Sequence, residues 1–145
     1  MNDVKLVECD EELRRRVGTA MGPVAERHIR LEDGFAFVAM DAGSPVGLIA
    51  VYRRRLPDPL SQTDEGFINI IEVADAYRRH GIGRRLVEKS IERCRAQGLH
   101  QIRAWSSTDK AAAIHLWKAL GFALCPASTY SGGVEVKGYF AARLL

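Results

Sequence analysis

One domain of the α/β (α+β) class, spanning residues 1–145, is what this sequence predicts, and three features carry the reading. The length suits a single hydrophobic core, because a chain of about 150 residues buries roughly two-thirds of the surface it exposes when unfolded. An almost continuous apolar run, Phe67–Val73, leads through Gly81-Ile82-Gly83 into a helical pattern and then into a second strand-like run, Gln101–Ser106. A crossover of that length lets the two strands lie parallel. Finally, the β-branched and aromatic runs Phe35–Met40 and Val46–Tyr52 flank Asp41-Ala42-Gly43-Ser44-Pro45, a hairpin signature.

In chain order, Val4–Cys9 alternates loosely and reads as a first strand. Asp10-Glu11-Glu12 then supplies an N-cap and an acidic first turn for a helix to about His28, which Gly18, Gly22 and Pro23 are expected to break in two. After the hairpin, a polar stretch from Arg53 to Gly66 carries Pro57, Pro59 and three acidic residues. A loop that long suggests a substrate-facing role. Phe67–Val73 is almost continuously apolar, broken by Asn69 and Glu72, as expected for a strand covered on both faces. Leu86, Val87, Ile91 and Cys94 fall at helical spacing on the helix opened by Gly81-Ile82-Gly83 and closed near Gly98. A second helix, Asp109–Leu120, ends at Gly121. Phe122–Cys125 and Gly138–Leu144 then form two last strands around a Tyr130-Ser131-Gly132-Gly133 loop.

Composition excludes several classes. Apolar residues at 47% and charged residues at 27% are far from the signature of a disordered chain. No apolar run approaches the ~20 residues that span a bilayer, and Met-Asn-Asp-Val-Lys does not resemble a secretory signal, so no membrane partner and a cytoplasmic location are expected. Cys9, Cys94 and Cys125 are odd in number and far apart, and His28, His80, His100 and His115 lack ligand spacing, so neither a disulfide framework nor a metal is expected. A formal charge of +3 is small for a nucleic-acid binder, and aromatics are not interleaved with the arginine clusters as stacking platforms require. No nucleic-acid partner is expected.

One arginine cluster differs from the rest. Arg78-Arg79-His80-Gly81-Ile82-Gly83-Arg84 stands where a helix begins, with unpaired backbone N–H groups and about half a positive charge. Glycines at 81 and 83 remove β-carbons from the approach, and the arginines add charge suited to a diphosphate. The P-loop pattern is absent, and Leu86 occupies the third glycine position of a dinucleotide fingerprint, which argues against nucleotide hydrolysis.

Val73-Ala74-Asp75-Ala76-Tyr77-Arg78-Arg79-His80-Gly81-Ile82-Gly83 closely resembles the signature of the GNAT superfamily of N-acetyltransferases. Ala111-Ala112-Ala113-Ile114-His115-Leu116-Trp117-Lys118-Ala119-Leu120-Gly121-Phe122 resembles the second signature of that superfamily at the expected distance. The resemblance implies a mixed, strongly twisted sheet of six or seven strands with about four helices. Its central parallel strands, Phe67–Val73 and Gln101–Ser106, would splay to admit the pantetheine arm of acetyl-CoA, the cosubstrate. Backbone groups near Ile71 and Val73 would hold that arm. Arg78, Arg79, His80, Gly81, Ile82, Gly83 and Arg84 would take the pyrophosphate, with Lys110, Ala113 and Trp117 completing the cofactor site. The acceptor would be a primary amine of a small molecule or a protein, attacking directly in a ternary complex, and two copies could pair through their last strands.

The departures from the pattern bear on chemistry. Trp117 replaces the tyrosine that commonly protonates the leaving thiolate, and an indole is a donor that does not titrate. Trp105 and Phe67 occupy positions where family members carry a glutamate base. Deprotonating an amine of pKa about 10.4 costs about 4.6 kcal/mol at pH 7, whereas releasing a thiolate of pKa about 8.5 costs about 2 kcal/mol. The base therefore matters more than the acid. Glu72, beside the expected oxyanion amide, is the first candidate. Simple alternation puts it opposite Val73 and Asn69, so that only a local bulge would turn it inward. On the same alternation Asn69 faces the cleft and could orient water or the amine, with Glu65 and Tyr139 as weaker candidates. A catalytically silent acyl-CoA sensor is the competing reading.

Overall fold

A computed structural model describes residues 3–145. Its described residues form a seven-stranded mixed sheet in the order β1-β2-β3-β4-β5-β7-β6. The strands are β1 Lys5–Glu8, β2 Gly34–Asp41, β3 Ser44–Arg55, β4 Asp64–Val73, β5 Gln101–Ser107, β6 Ala123–Ser131 and β7 Val134–Leu144, and the helices are α1 Glu11–Met21, α2 Pro23–Arg27, α3 Ile82–Ala96 and α4 Ala111–Ala119. None of these helices is long and apolar enough to cross a membrane.

Asp10 caps α1 by accepting from the Leu13 N–H at 2.8 Å. The break before α2 falls at Gly22 (φ 104°) with Pro23 in the first helical position. Gly18 does not break the helix as expected. A β-carbon there would lie 1.8 Å from Glu26 Oε1, so its absence leaves room for the Glu26 side chain of α2.

The two faces of the sheet bury different sets of side chains. Ile82, Leu86, Val87, Ile91 and Cys94 of α3, with Trp117 of α4, pack on Phe35, Ile49, Val51, Ile68 and Ile102. Each such burial stabilises by about 1.5–3 kcal/mol. Leu13 and Val17 of α1 and Ala25 of α2 cover Ala36, Val38, Leu48 and Ala50 on the other face.

Two expected loops are largely strand. Arg53, Arg54 and Arg55 pair with Gly66, Glu65 and Asp64, so the polar stretch 53–66 narrows to a tip at 56–63. Arg54 and Arg55 stand opposite Glu65 and Asp64 across the strands there, a match that a search for apolar runs does not detect. The tip hangs from the start of β4, away from the helix-opening turn that follows its end. The Tyr130 loop is likewise a long hairpin closed by Gly132 and Gly133, both at positive φ.

β4 and β5 are parallel over Glu65↔Gln101, Gly66↔Ile102 and Phe67↔Arg103, and then part. β3 pairs β4 through Ala50↔Ile70 and Val51↔Ile68, which leaves Asn69 as an extra, bulged residue. The bulge overturns simple alternation: Ile68, Ile71 and Val73 contact the α3 core, while Ile70 contacts the α1–α2 core.

Candidate active site

Where β4 and β5 part, a cleft of about 300 Å³ opens, lined by residues 68–72 of β4, 104–107 of β5, and Lys110, Ala113 and Trp117. Among the described residues no strand pairs with the β5-facing edge of β4 beyond Phe67, which leaves backbone groups around Ile71 and Val73 without a ladder partner on the cleft side. This is the edge on which an extended, amide-bearing arm could hydrogen-bond.

The turn between β4 and α3 is built by its own charges. Arg78 Nε donates to the Val73 carbonyl at 3.1 Å, and its Nη1 lies 3.2 Å from Asp75. Tyr77 donates to Asp41, tying the turn to the β2–β3 hairpin. Arg84 pairs with Glu88 at 2.8 Å, one turn along α3. Arg79 and His80 are exposed and have no side-chain partner among the described residues, and Arg79 holds a left-handed φ of 67°. Such strain persists where surrounding structure imposes it.

Gly81 begins α3 at φ 77° with nothing within 4 Å of a would-be β-carbon. At Gly83 a β-carbon would meet Leu116 and Val73 only at 3.6 and 4.0 Å, ordinary contact. Tight helix–strand packing therefore does not require glycine at 83. Ile82 points the other way and is buried. No side chain caps the α3 N-terminus, so its first N–H groups face outward. These features fit a pyrophosphate.

The bulge re-aims Asn69 but leaves Glu72 on the face opposite Val73, where alternation had put it, and does not turn it inward. Asn69 Nδ2 donates to the His28 carbonyl at 2.9 Å, so the side chain points to the α1–α2 face and not, as alternation suggested, with Val73. Glu72 lies opposite Leu48 in the ladder and shares that face. It is exposed and has no ion pair among the described residues. Both line the cleft from the side opposite α3.

Trp117 is 1% exposed, packs at 5.1 Å on the Phe122 ring, and donates its Nε1–H to Ser106 Oγ at 3.0 Å. Lys110 is exposed at the start of α4, and Ala113 is half-buried in the cleft wall. Glu65 is unsuited to act as a base. It is fully buried and accepts from Arg54, Gln101 and Arg103. Sequence reasoning missed Ser106. Its signal was the alternation Ile102, Ala104, Ser106, which puts a hydroxyl on the helix-facing side of β5.

The comparisons agree with this geometry. Residues 6–122 match the Acetyltransferase (GNAT) family. An uncharacterized N-acetyltransferase of Methanocaldococcus jannaschii is 33% identical over 64% of this chain and 40% of its own length. N-acetyltransferase family 8 member 3 of Rattus norvegicus is 33% identical over 59% of this chain and 37% of its length. The chain thus spans about two-fifths of the length of these curated relatives. Among solved structures, Arabidopsis thaliana NAA60 with a bisubstrate analogue superposes with a TM-score of 0.80 at 13% identity, covering 98% of both chains. Ribosomal-protein-alanine N-acetyltransferase of Brucella melitensis reaches 0.73 at 22% identity, over 97% of this chain and 99% of its own. A family match over most of the chain, on a sheet that forks beside an uncapped helix start, leads to one conclusion: this protein belongs to the GNAT acetyltransferase family.

Proposed function

We propose that the protein transfers the acetyl group of acetyl-CoA to a primary amine of a small molecule or a protein, by direct attack in a ternary complex. The observation that carries this reading is the cleft between β4 and β5 with the α3 N-terminus at its mouth. The pyrophosphate would accept from the first N–H groups of α3, with Arg79 as the cation unpaired among the described residues. The pantetheine arm would run along the unpaired edge at Ile71 and Val73, one of whose N–H groups would receive the charge that develops on the thioester oxygen. Ala113 and Trp117 would wall the arm, and Lys110 would stand at its exit.

The amine would enter from the opposite face, where Glu72 and Asn69 stand. Glu72 is the acceptor for the ammonium proton, directly or through water, and Asn69 orients that water with its amide oxygen. The open edge of β6 is where two copies would pair.

Acetyl-CoA should raise the melting temperature of the purified protein, and a panel of amines and peptides should reveal acceptors that release thiol from it. Binding without thiol release on any acceptor would instead mark a silent acyl-CoA module. One observation favours that second reading: the indole N–H of Trp117 is committed to Ser106, so Trp117 itself offers the leaving group no donor.

A further inference from the structure

When an amine displaces the thiolate of a thioester, negative charge collects on sulfur. Most polar side chains in the wall of the cleft are committed, sealed or turned away from it. The Asn69 amide is drawn to the α1–α2 face by one N–H on the His28 carbonyl, the Ser107 hydroxyl is spent on Asp109, and the Trp117 indole on Ser106. Trp105 Nε1 also lacks a partner among the described residues, but it is sealed from solvent and receives no bond that fixes it toward the cleft, and Lys110 is exposed at the mouth. Ser106 is different. It lines the cleft, is 8% exposed, and accepts the Trp117 N–H at 3.0 Å, yet among the described residues its own O–H donates to nothing.

From this we infer that Ser106 supplies the hydrogen bond accepted by the departing thiolate, with Trp117 as the positioning residue that holds its hydroxyl. The inference rests on acetyl transfer as proposed above. Accepting from the indole fixes the Ser106 lone pair and strengthens its O–H as a donor, because successive hydrogen bonds polarise one another. A donor to an ionic acceptor is also stronger than one between neutral groups.

The step balances without an acid. The amine nitrogen forms a bond to the acetyl carbon, the carbon–sulfur bond breaks, and sulfur keeps the electron pair. The proton lost by the amine leaves through water on the Glu72 side. Ser106 keeps its own proton, and the thiolate is protonated by solvent after release.

Ser106→Ala, Ser106→Thr and Trp117→Phe test this in the full chain. Ser106→Ala should lower kcat for acetyl-CoA by about tenfold or more with KM for acetyl-CoA unchanged, the mark of an interaction made on the way to products. Ser106→Thr, which keeps the hydroxyl, should stay within about threefold of the parent. Trp117→Phe should fall between them. A second readout needs no turnover: the thiol of bound CoA, followed by the ultraviolet absorbance of its thiolate, should titrate about one pH unit higher in Ser106→Ala than in the parent.

Equal losses in the Ala and Thr variants, a change confined to KM, or an unmoved thiol titration would overturn the inference and leave Ser106 as a mere partner for the indole. A parent protein that releases no thiol with any amine would defeat acetyl transfer itself. The bound-thiol titration would still decide whether Ser106 touches sulfur.

Discussion

Arg103 grips Glu65 at the last strand pairs before β4 and β5 separate, with Nη2 at 2.7 Å from Oε2 and Nε at 3.0 Å from Oε1. Arg54 Nη2 reaches the same carboxylate at 3.1 Å from the other side. The two guanidiniums also stack on aromatic rings, Arg54 at 4.2 Å over Phe67 and Arg103 at 4.8 Å over Phe140. Glu65 therefore rivets three strands where the cleft begins. The parallel ladder stops two residues later, so the rivet defines how far the fork can open.

Removing the carboxylate strands two guanidiniums at that point. Breaking a buried pair costs about 3–5 kcal/mol, and the partial exposure of both arginines reduces this to roughly 2–3 kcal/mol for Glu65→Ala. Denaturant unfolding should show that loss. Acetyl-CoA binding should weaken as well, because the width of the cleft depends on the fork. A variant with parental stability would show that the network is ornamental.

At the turn before α3, where the pyrophosphate is proposed to bind, the arginines should not be equivalent. Arg84 is shared with Glu88, and Arg78 holds the Val73 carbonyl and Asp75, whereas Arg79 has no partner among the described residues. Arg79→Ala should weaken acetyl-CoA by about five- to tenfold and flatten the salt dependence of binding, with Arg84→Ala costing less than threefold. Arg78→Ala should act through stability of the turn and lower the melting temperature without ligand. Calorimetric titration at two salt concentrations separates the three.

The distinction between those arginines was not legible in the sequence, which shows adjacent charges but not where each guanidinium goes. The order of strands and helices, the parallel pair and the glycine-led helix start were legible, because periodicity and turn chemistry are local. The bulge at Asn69 was not. An extra residue in a strand is defined by its partner, and Ile68-Asn69-Ile70-Ile71 looks regular until Ala50 and Val51 are laid beside it. The bulge decides which face carries the Asn69 side chain.

The cysteines differ in reactivity. Burial pushes the Cys94 thiol up to about 12, and burial with the nearby Asp10 and Glu11 carboxylates pushes Cys9 up to about 11. Cys125 is exposed on β6. At pH 8 iodoacetamide should modify Cys125 alone in the native protein and all three cysteines after denaturation, as counted by mass spectrometry. The same shift makes stability depend on pH. The folded state holds the Cys94 proton to higher pH than the unfolded chain does, so its contribution is fully present below about pH 9 and is lost as pH rises toward 12. Cys94→Ala should lower stability at neutral pH but show a shallower decline above pH 9.

Glu72 is the residue on which the proposed chemistry turns, and its proton transfer has a pH signature. If Glu72 takes the proton from the ammonium, Glu72→Gln removes a base without changing size, and kcat/KM at pH 7 should fall by about 10²-fold. The deficit should shrink as pH approaches the pKa of the amine, about 10.4, because solvent then delivers the neutral nucleophile unaided. If Glu72 merely attracts the ammonium by charge, the variant should raise KM for the amine, and high salt should lower the parent's rate toward that of the variant. A neutral Gln at 72 with a parallel pH profile and unchanged KM would remove Glu72 from the mechanism. The bulge supplies an independent check. Asn69→Asp keeps the size but loses the donor to the His28 carbonyl, so it should disturb the α2 end of the amine path and raise KM for the amine more than KM for acetyl-CoA.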